Sequence, residues 1–70
     1  MMPMTMMNSG ETASIKKIGG LEKTKQFLES LGFTAGEEIQ VVSSNAGNVI
    51  VQVKGSRIAV SREAASKIMV

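Results

Sequence analysis

The chain has 70 residues and a formal charge of +2, which allows one small domain with a thin margin of stability. It contains no cysteine, histidine or aspartate, so disulfides, thiolate metal sites and histidine-dependent catalysis are excluded. No apolar run reaches the ~18 residues of a membrane-spanning helix and no signal peptide is recognisable, so we expect a soluble, cytoplasmic protein.

The N-terminal segment is rich in methionine and carries neither charge nor periodicity. Because chain ends of this kind are often unfolded, we predict a disordered tail over residues 1–9 and a folded domain over residues 10–70. The methionines of this segment could bind Cu(I) through their thioethers, but a mobile tail is the simpler interpretation.

The first predicted elements are a strand and a helix. In "ETASIKKI", Ala13 and Ile15 fall on one side of a strand, and the alternation breaks at Ile18 before the glycine pair at 19–20. In "LEKTKQFLESL", an apolar stripe within roughly 120° of arc predicts an amphipathic helix. The stripe comprises Leu21, Thr24, Phe27, Leu28 and Leu31. Gly32 stands where a left-handed residue ends a helix.

The remaining chain alternates apolar and polar residues with the period of strands. The segments are "EIQVVSS", "NVIVQVK" and "SRIAVS", joined by a loop at "NAG" and by a type II′ turn at "GS", residues 55–56. Ser61 is a plausible N-cap for a short helix, and "IMV" can form a last strand. The predicted class is mainly β (small α+β), with five short strands closed into a barrel that leaves no exposed edges.

The stretch "LGFTAGEEI" resembles an active loop, but a structural corner explains it better. Adjacent residues of a strand point to opposite faces, so Glu37 and Glu38 cannot converge on one substrate or metal. Phe27 is predicted in the core, and Phe33 is predicted to pack back on the helix that Gly32 caps. The glycines form no phosphate-binding motif. We therefore predict no catalytic residue, no metal ligand and no cofactor.

Basic residues are the candidates for binding a partner. Lys54, Arg57 and Arg62 are predicted to cluster around the Gly55 hairpin and the corner after it, and Lys23 and Lys25 lie on the polar face of the helix. These five could dock an acidic protein surface, bind nucleic acid, or only solvate the surface. Because nucleic-acid readers usually add stacking aromatics, and the chain has no Trp or Tyr, no nucleic acid is expected.

Taken in order, the runs "LESLGFTAGEEIQVV" and "GNVIVQVKGSRIAVSREAASKIMV" resemble the FeoA family, the ferrous iron transport protein A. The resemblance rests on Leu-Gly-apolar, a glycine before an apolar strand, a valine-rich strand, a Gly turn, an Ile-Ala-apolar strand and a final Ile-x-Val. These positions are Leu28, Leu31, Gly32, Phe33, Gly36, Ile39, Val41, Val49, Val51, Val53, Gly55, Ile58, Ala59, Val60, Ala64, Ile68 and Val70.

The resemblance implies an SH3-like five-stranded β-barrel over residues 10–70, with a helix after the first strand and a helical turn before the last. It also implies a non-enzymatic cytoplasmic accessory of ferrous iron uptake. Such a protein docks on the FeoB membrane transporter, through its cytosolic GTPase domain, and reaches the membrane only through that partner. Two alternatives stay open: a small basic barrel that binds nucleic acid, and a metal-responsive regulatory domain. The chain departs from the family pattern at "NAGNV" and at Val60 and Ser61, which leaves the partner contacts open.

Overall fold

The computed structural model describes residues 1–70, which form six short strands, two α-helices and an N-terminal 3-10 helix. The elements are the 3-10 helix (Met4–Met6), β1 (Thr12–Ser14), β2 (Lys17–Ile18), α1 (Glu22–Ser30), β3 (Glu38–Ser44), β4 (Asn48–Val53), β5 (Ser56–Ser61), α2 (Arg62–Ala65) and β6 (Ile68–Met69). The predicted order of elements is confirmed, and so is the mainly β, small α+β class.

The strands form two antiparallel sheets, one of four strands in the order β1-β3-β4-β5 and one that pairs β2 with β6. The first predicted strand is divided between them. The amide of Ile15 donates to the carbonyl of Glu37 at 2.9 Å, and the amide of Lys16 donates to the carbonyl of Met69 at 2.7 Å. The chain therefore changes sheets between these two residues, so one continuous strand segment wraps around the core.

Strand alternation places the apolar residues of the sheets inside, because successive side chains of a strand point to opposite faces. The buried residues are Met4, Met7, Ile15, Ile18, Leu28, Phe33, Ile39, Val41, Val49, Val51, Val53, Val60, Ala65 and Ile68. No buried side chain carries a charge. The strands thus supply most of the core, and each helix adds a single buried residue to it, Leu28 or Ala65.

Helix α1 ends as its sequence predicts, but it buries less than its apolar stripe suggests. The amide of Phe33 donates to the carbonyl of Leu28 at 3.0 Å, Gly32 has a φ of 106°, and the Phe33 side chain is fully buried. This is the predicted capping geometry. The prediction that Phe27 lies in the core is wrong, since its side chain is 57% exposed. The helix meets the barrel along the row of Leu28, which turns Phe27 toward α2 instead.

The N-terminal segment differs from the predicted disordered tail. Met4 is fully buried and Met7 is 7% exposed, and both belong to the single core cluster. Met2 and Val70 exchange backbone hydrogen bonds of 2.9 and 2.8 Å. The physical reason is that a small barrel has little apolar surface of its own to bury, so uncharged methionines that can reach the core stabilise it.

The β4–β5 turn also differs from its prediction. The two-residue turn consists of Lys54 and Gly55, because Val53 pairs with Ser56 across the hairpin. Both turn residues have positive φ, 49° and 78°, which is the geometry of a type I′ turn and not of type II′. This turn matches the right-handed twist of the two strands, and the hairpin accepts a lysine in a left-handed conformation to obtain it.

Candidate partner-binding surface

The five predicted cations do not form one patch. Lys54 and Arg57 lie at the turn end of the β4–β5 hairpin, whereas Arg62 follows Ser61, which pairs with Asn48 at the opposite end. The predicted clustering of Arg62 with the other two is therefore wrong. The two strands are paired along their whole length, and six register pairs run from one end of the hairpin to the other.

Three of these cations have polar partners in the chain itself. The Nζ of Lys54 lies 3.8 Å from Oε1 of Glu37, which is the only ion pair of the protein. The Nε of Arg57 donates to Oε1 of Gln52 at 3.3 Å across the two strands. The guanidinium of Arg62 donates to a loop carbonyl, that of Asn45, at 3.4 Å. Each cation thus reaches a different part of the surface.

A groove of about 330 Å³ lies between α1 and α2, and we call it the helix groove. Its lining residues are Lys23, Thr24, Phe27, Ser61, Glu63, Ala64 and Lys67. Helix periodicity explains the wall of the groove that α1 forms. Lys23 and Phe27 are four residues apart, so they stand one above the other on the same face of α1. Lys25, two residues from Lys23, does not line the groove.

The opposite wall of the helix groove is built by the short helix α2. The Oγ of Ser61 accepts a hydrogen bond from the amide of Ala64 at 3.1 Å, which confirms the predicted N-cap. The cap fixes the first turn of α2 and so sets the position of Glu63 and Ala64. Ala65 is completely buried and ties this short helix to the core.

Lys67 lines the helix groove, and its aliphatic stem passes beside a glycine. Gly20 has a φ of 89°, and a Cβ built on it would stand 3.3 Å from both Cγ and Cδ of Lys67. The stem of Lys67 therefore lies directly over this glycine. Like most lining residues, Lys67 was not among the sequence candidates, because no sequence pattern joins residues so far apart in the chain.

Phe27 gives the helix groove its apolar character. A phenylalanine that is 57% exposed leaves a large aromatic surface in water. Leu21, at the start of α1, is 79% exposed. One short helix thus exposes two large apolar side chains, and the lysines beside them form no ion pair. This combination is typical of a contact surface.

The groups on this surface are suited to binding another molecule. No three carboxylate, imidazole or thiolate side chains lie close enough together to hold a metal ion. No buried side-chain polar atom lacks a hydrogen-bond partner. Neither helix has the length and apolarity needed to cross a membrane. What the described groups can do is bind another molecule by apolar contact and charge.

Comparison with known proteins identifies close relatives over the whole chain. A family model described as the FeoA domain matches residues 2–70. A protein of Methanocaldococcus jannaschii named "Putative Fe(2+) transport protein A" is 39% identical over 70 residues, which is 100% of this chain and 85% of that protein.

Solved structures agree with this match. The crystal structure of an iron uptake regulatory protein, FeoA, has a TM-score of 0.89 at 33% identity and covers 94% of this chain and 89% of its own. The zinc complex of FeoA from Stenotrophomonas maltophilia, described as a prokaryotic SH3 domain protein, has a TM-score of 0.87 at 23% identity over 99% and 88% of the two chains. The predicted SH3-like barrel is confirmed, and at its lower identity the second structure bears on the fold alone.

Proposed function

This chain belongs to the FeoA family, and on that premise we propose that it is a non-enzymatic cytoplasmic accessory of ferrous iron uptake. In this proposal it docks on the cytosolic GTPase domain of a FeoB-type membrane transporter and modulates it. Membrane association is then only indirect, through the partner. The observation that carries the proposal is the helix groove, where an exposed phenylalanine lies beside two lysines that form no ion pair.

Aromatic side chains support docking because they are enriched at the centres of protein interfaces. Burial of one phenylalanine side chain is worth about 1.5–3 kcal/mol, so the helix groove alone suits a weak, reversible contact. Reversible contact is what a modulator of a transport cycle requires. The proposal assigns no chemistry to the chain, in keeping with its lack of histidine, cysteine and aspartate.

The test is a titration of the ¹⁵N-labelled chain with the cytosolic GTPase domain of the FeoB-type transporter from the same source, followed by NMR. We expect shifts confined to one face of the barrel, at micromolar to millimolar partner. The matched control is an unrelated small GTPase domain, which should leave the spectrum unchanged. Absence of shifts at millimolar partner would remove direct docking. GTP hydrolysis measured with and without the chain then tests modulation.

A second candidate function, nucleic-acid binding, is favoured by one observation. Phe27 is exposed beside Lys23 and Lys67, and an aromatic ring flanked by cations can stack on a base while the lysines meet phosphates. Glu63 in the same groove opposes it by repelling phosphate. A gel shift with single-stranded DNA at low and high salt tests this candidate, because phosphate binding weakens steeply as salt rises.

A further inference from the structure

We infer that the helix groove binds a peptide segment that sets one large apolar side chain against Phe27 and Ala64 and its carboxylates against Lys23 and Lys67. The inference rests on the proposed function only for the identity of the protein that supplies this segment. The groove itself is argued from its size, its apolar contacts and its charges.

The size of the helix groove suits a side chain rather than a cofactor. Its volume of about 330 Å³ is at the lower end of ligand-binding pockets. Two of its lining residues, Phe27 and Ala64, are apolar, and they come from the two facing helices. An aliphatic or aromatic side chain inserted between the helices would cover both of them and remove the exposed ring from water.

The charges of the helix groove determine which residues of the peptide should stand on either side of its apolar side chain. Lys23 and Lys67 lie on opposite walls, and neither is in an ion pair, because the only ion pair of the protein joins Lys54 to Glu37. With Glu63 the groove carries two positive charges and one negative charge. A carboxylate on each side of the apolar anchor would therefore meet a free ammonium group, whereas a basic segment would be repelled by both.

A nucleic acid is the less suitable occupant of the helix groove. A phosphate backbone would meet the carboxylate of Glu63 in the same groove and would find one aromatic ring where several are usual.

The test uses short synthetic peptides and the ¹⁵N-labelled full chain. One peptide has a central phenylalanine flanked by glutamates, a second has lysines in place of the glutamates, and a third has serine in place of the phenylalanine. We expect the first peptide to shift the amides of Thr24, Phe27 and Ala64, with the other two at least about tenfold weaker.

Variants of the chain distinguish a lost contact with the peptide from a loss of folding. Phe27→Ala should weaken the acidic peptide about tenfold, whereas Met6→Ala, at a side chain 67% exposed outside the groove, should not. Lys67→Met keeps the stem over Gly20 but removes the charge, so it should weaken binding without unfolding the chain. Lys67→Glu should raise the affinity for the lysine-flanked peptide above that of the wild-type chain, which a purely structural role of Lys67 would not do.

Each outcome decides the inference. Equal shifts with all three peptides, no shifts with any of them, or shifts with oligo-dT alone would each overturn it. If the acidic peptide binds in the groove while the GTPase domain does not bind at all, the inference stands and the proposed partner is wrong. If the GTPase domain binds wild type and the Phe27→Ala variant equally, docking stands and the groove is not its site.

Discussion

Met2 and Val70 exchange two backbone hydrogen bonds, of 2.9 and 2.8 Å, which tie the two ends of the chain together. Pro3 forms an isolated bridge with Met69 next to them. The N-terminal segment therefore lies beside β6 and carries Met4 into the core. The last strand is stabilised from both sides, by β2 and by this segment.

The first prediction concerns the buried methionine of that segment. Met4→Ala should lower the free energy of unfolding by about 2–5 kcal/mol, because it leaves a cavity beside the core. In a domain of this size that loss is comparable with the whole stability. Urea denaturation followed by circular dichroism measures it. Met6→Ala, at a side chain 67% exposed, is the control and should change stability little. Equal effects of the two changes would mean that Met4 is not a core residue.

The second prediction concerns the end of α1. Gly32 has a φ of 106°, which L-residues rarely adopt, so Gly32→Ala should lower stability by about 1–2 kcal/mol. For a domain this small, that corresponds to a Tm lower by roughly 4–16 °C. Gly47→Ala is the matched control, since its φ is outside the left-handed region and a Cβ there meets its nearest neighbour at 3.8 Å. A Tm unchanged in both variants would contradict the capping geometry.

The third prediction concerns the β4–β5 turn. Lys54 adopts a φ of 49°, a conformation that asparagine tolerates better than lysine or alanine. Both Lys54→Asn and Lys54→Ala remove the ion pair with Glu37, so their difference isolates the backbone. The asparagine variant should be the more stable by about 0.5–1 kcal/mol in urea denaturation. If the alanine variant is equally stable, the left-handed conformation of residue 54 carries no cost.

The fourth prediction concerns the wall of the helix groove. Ser61→Ala removes the hydrogen bond to the amide of Ala64 and should cost about 1 kcal/mol. Because α2 has only four residues, its amides should also exchange faster with solvent, which hydrogen exchange by NMR measures. Ser44→Ala, at an exposed position of β3, provides the comparison. Unchanged exchange in α2 would show that the cap does not hold this helix.

The fifth prediction distinguishes the helix groove from the β4–β5 turn as the docking surface. The double variant Lys23→Gln with Lys67→Gln should weaken binding of the GTPase domain several-fold, because both charges flank exposed apolar surface. The double variant Lys54→Gln with Arg57→Gln removes the same net charge and should have little effect, since exposed cations away from an apolar contact contribute little to affinity. Calorimetry measures both. The reverse ranking would move the docking surface to the hairpin turn.

Local patterns in the sequence predict most of this fold correctly. Strand alternation places Ile39 and Val41 in the core, and the spacing of Leu28, Gly32 and Phe33 predicts the end of α1. These features succeed because their physical causes act over a few residues. The ordered set of such features is also what makes the resemblance to the FeoA family recognisable.

The candidate site is predicted far less completely. Of the five basic residues chosen from the sequence, Lys23 lines the helix groove. Periodicity predicts Phe27 in the core, because it shows which face of a helix is apolar but not how much of that face its neighbours cover. No local pattern in the sequence predicts Lys67 in the groove, since its position over Gly20 depends on a contact between distant parts of the chain.

The sequence by itself determined the order of the elements, the capped end of α1, the inward faces of the strands and the family. The elements, the cap and the inward faces follow from backbone preference or from side-chain alternation within one element. The family follows from similarity to known sequences over residues 2–70. Only the tertiary structure decided that Met4 enters the core, that Phe27 stays in water and that α1 and α2 enclose a groove. Those features depend on how the elements pack against one another, which is set by the burial of apolar surface across the whole chain.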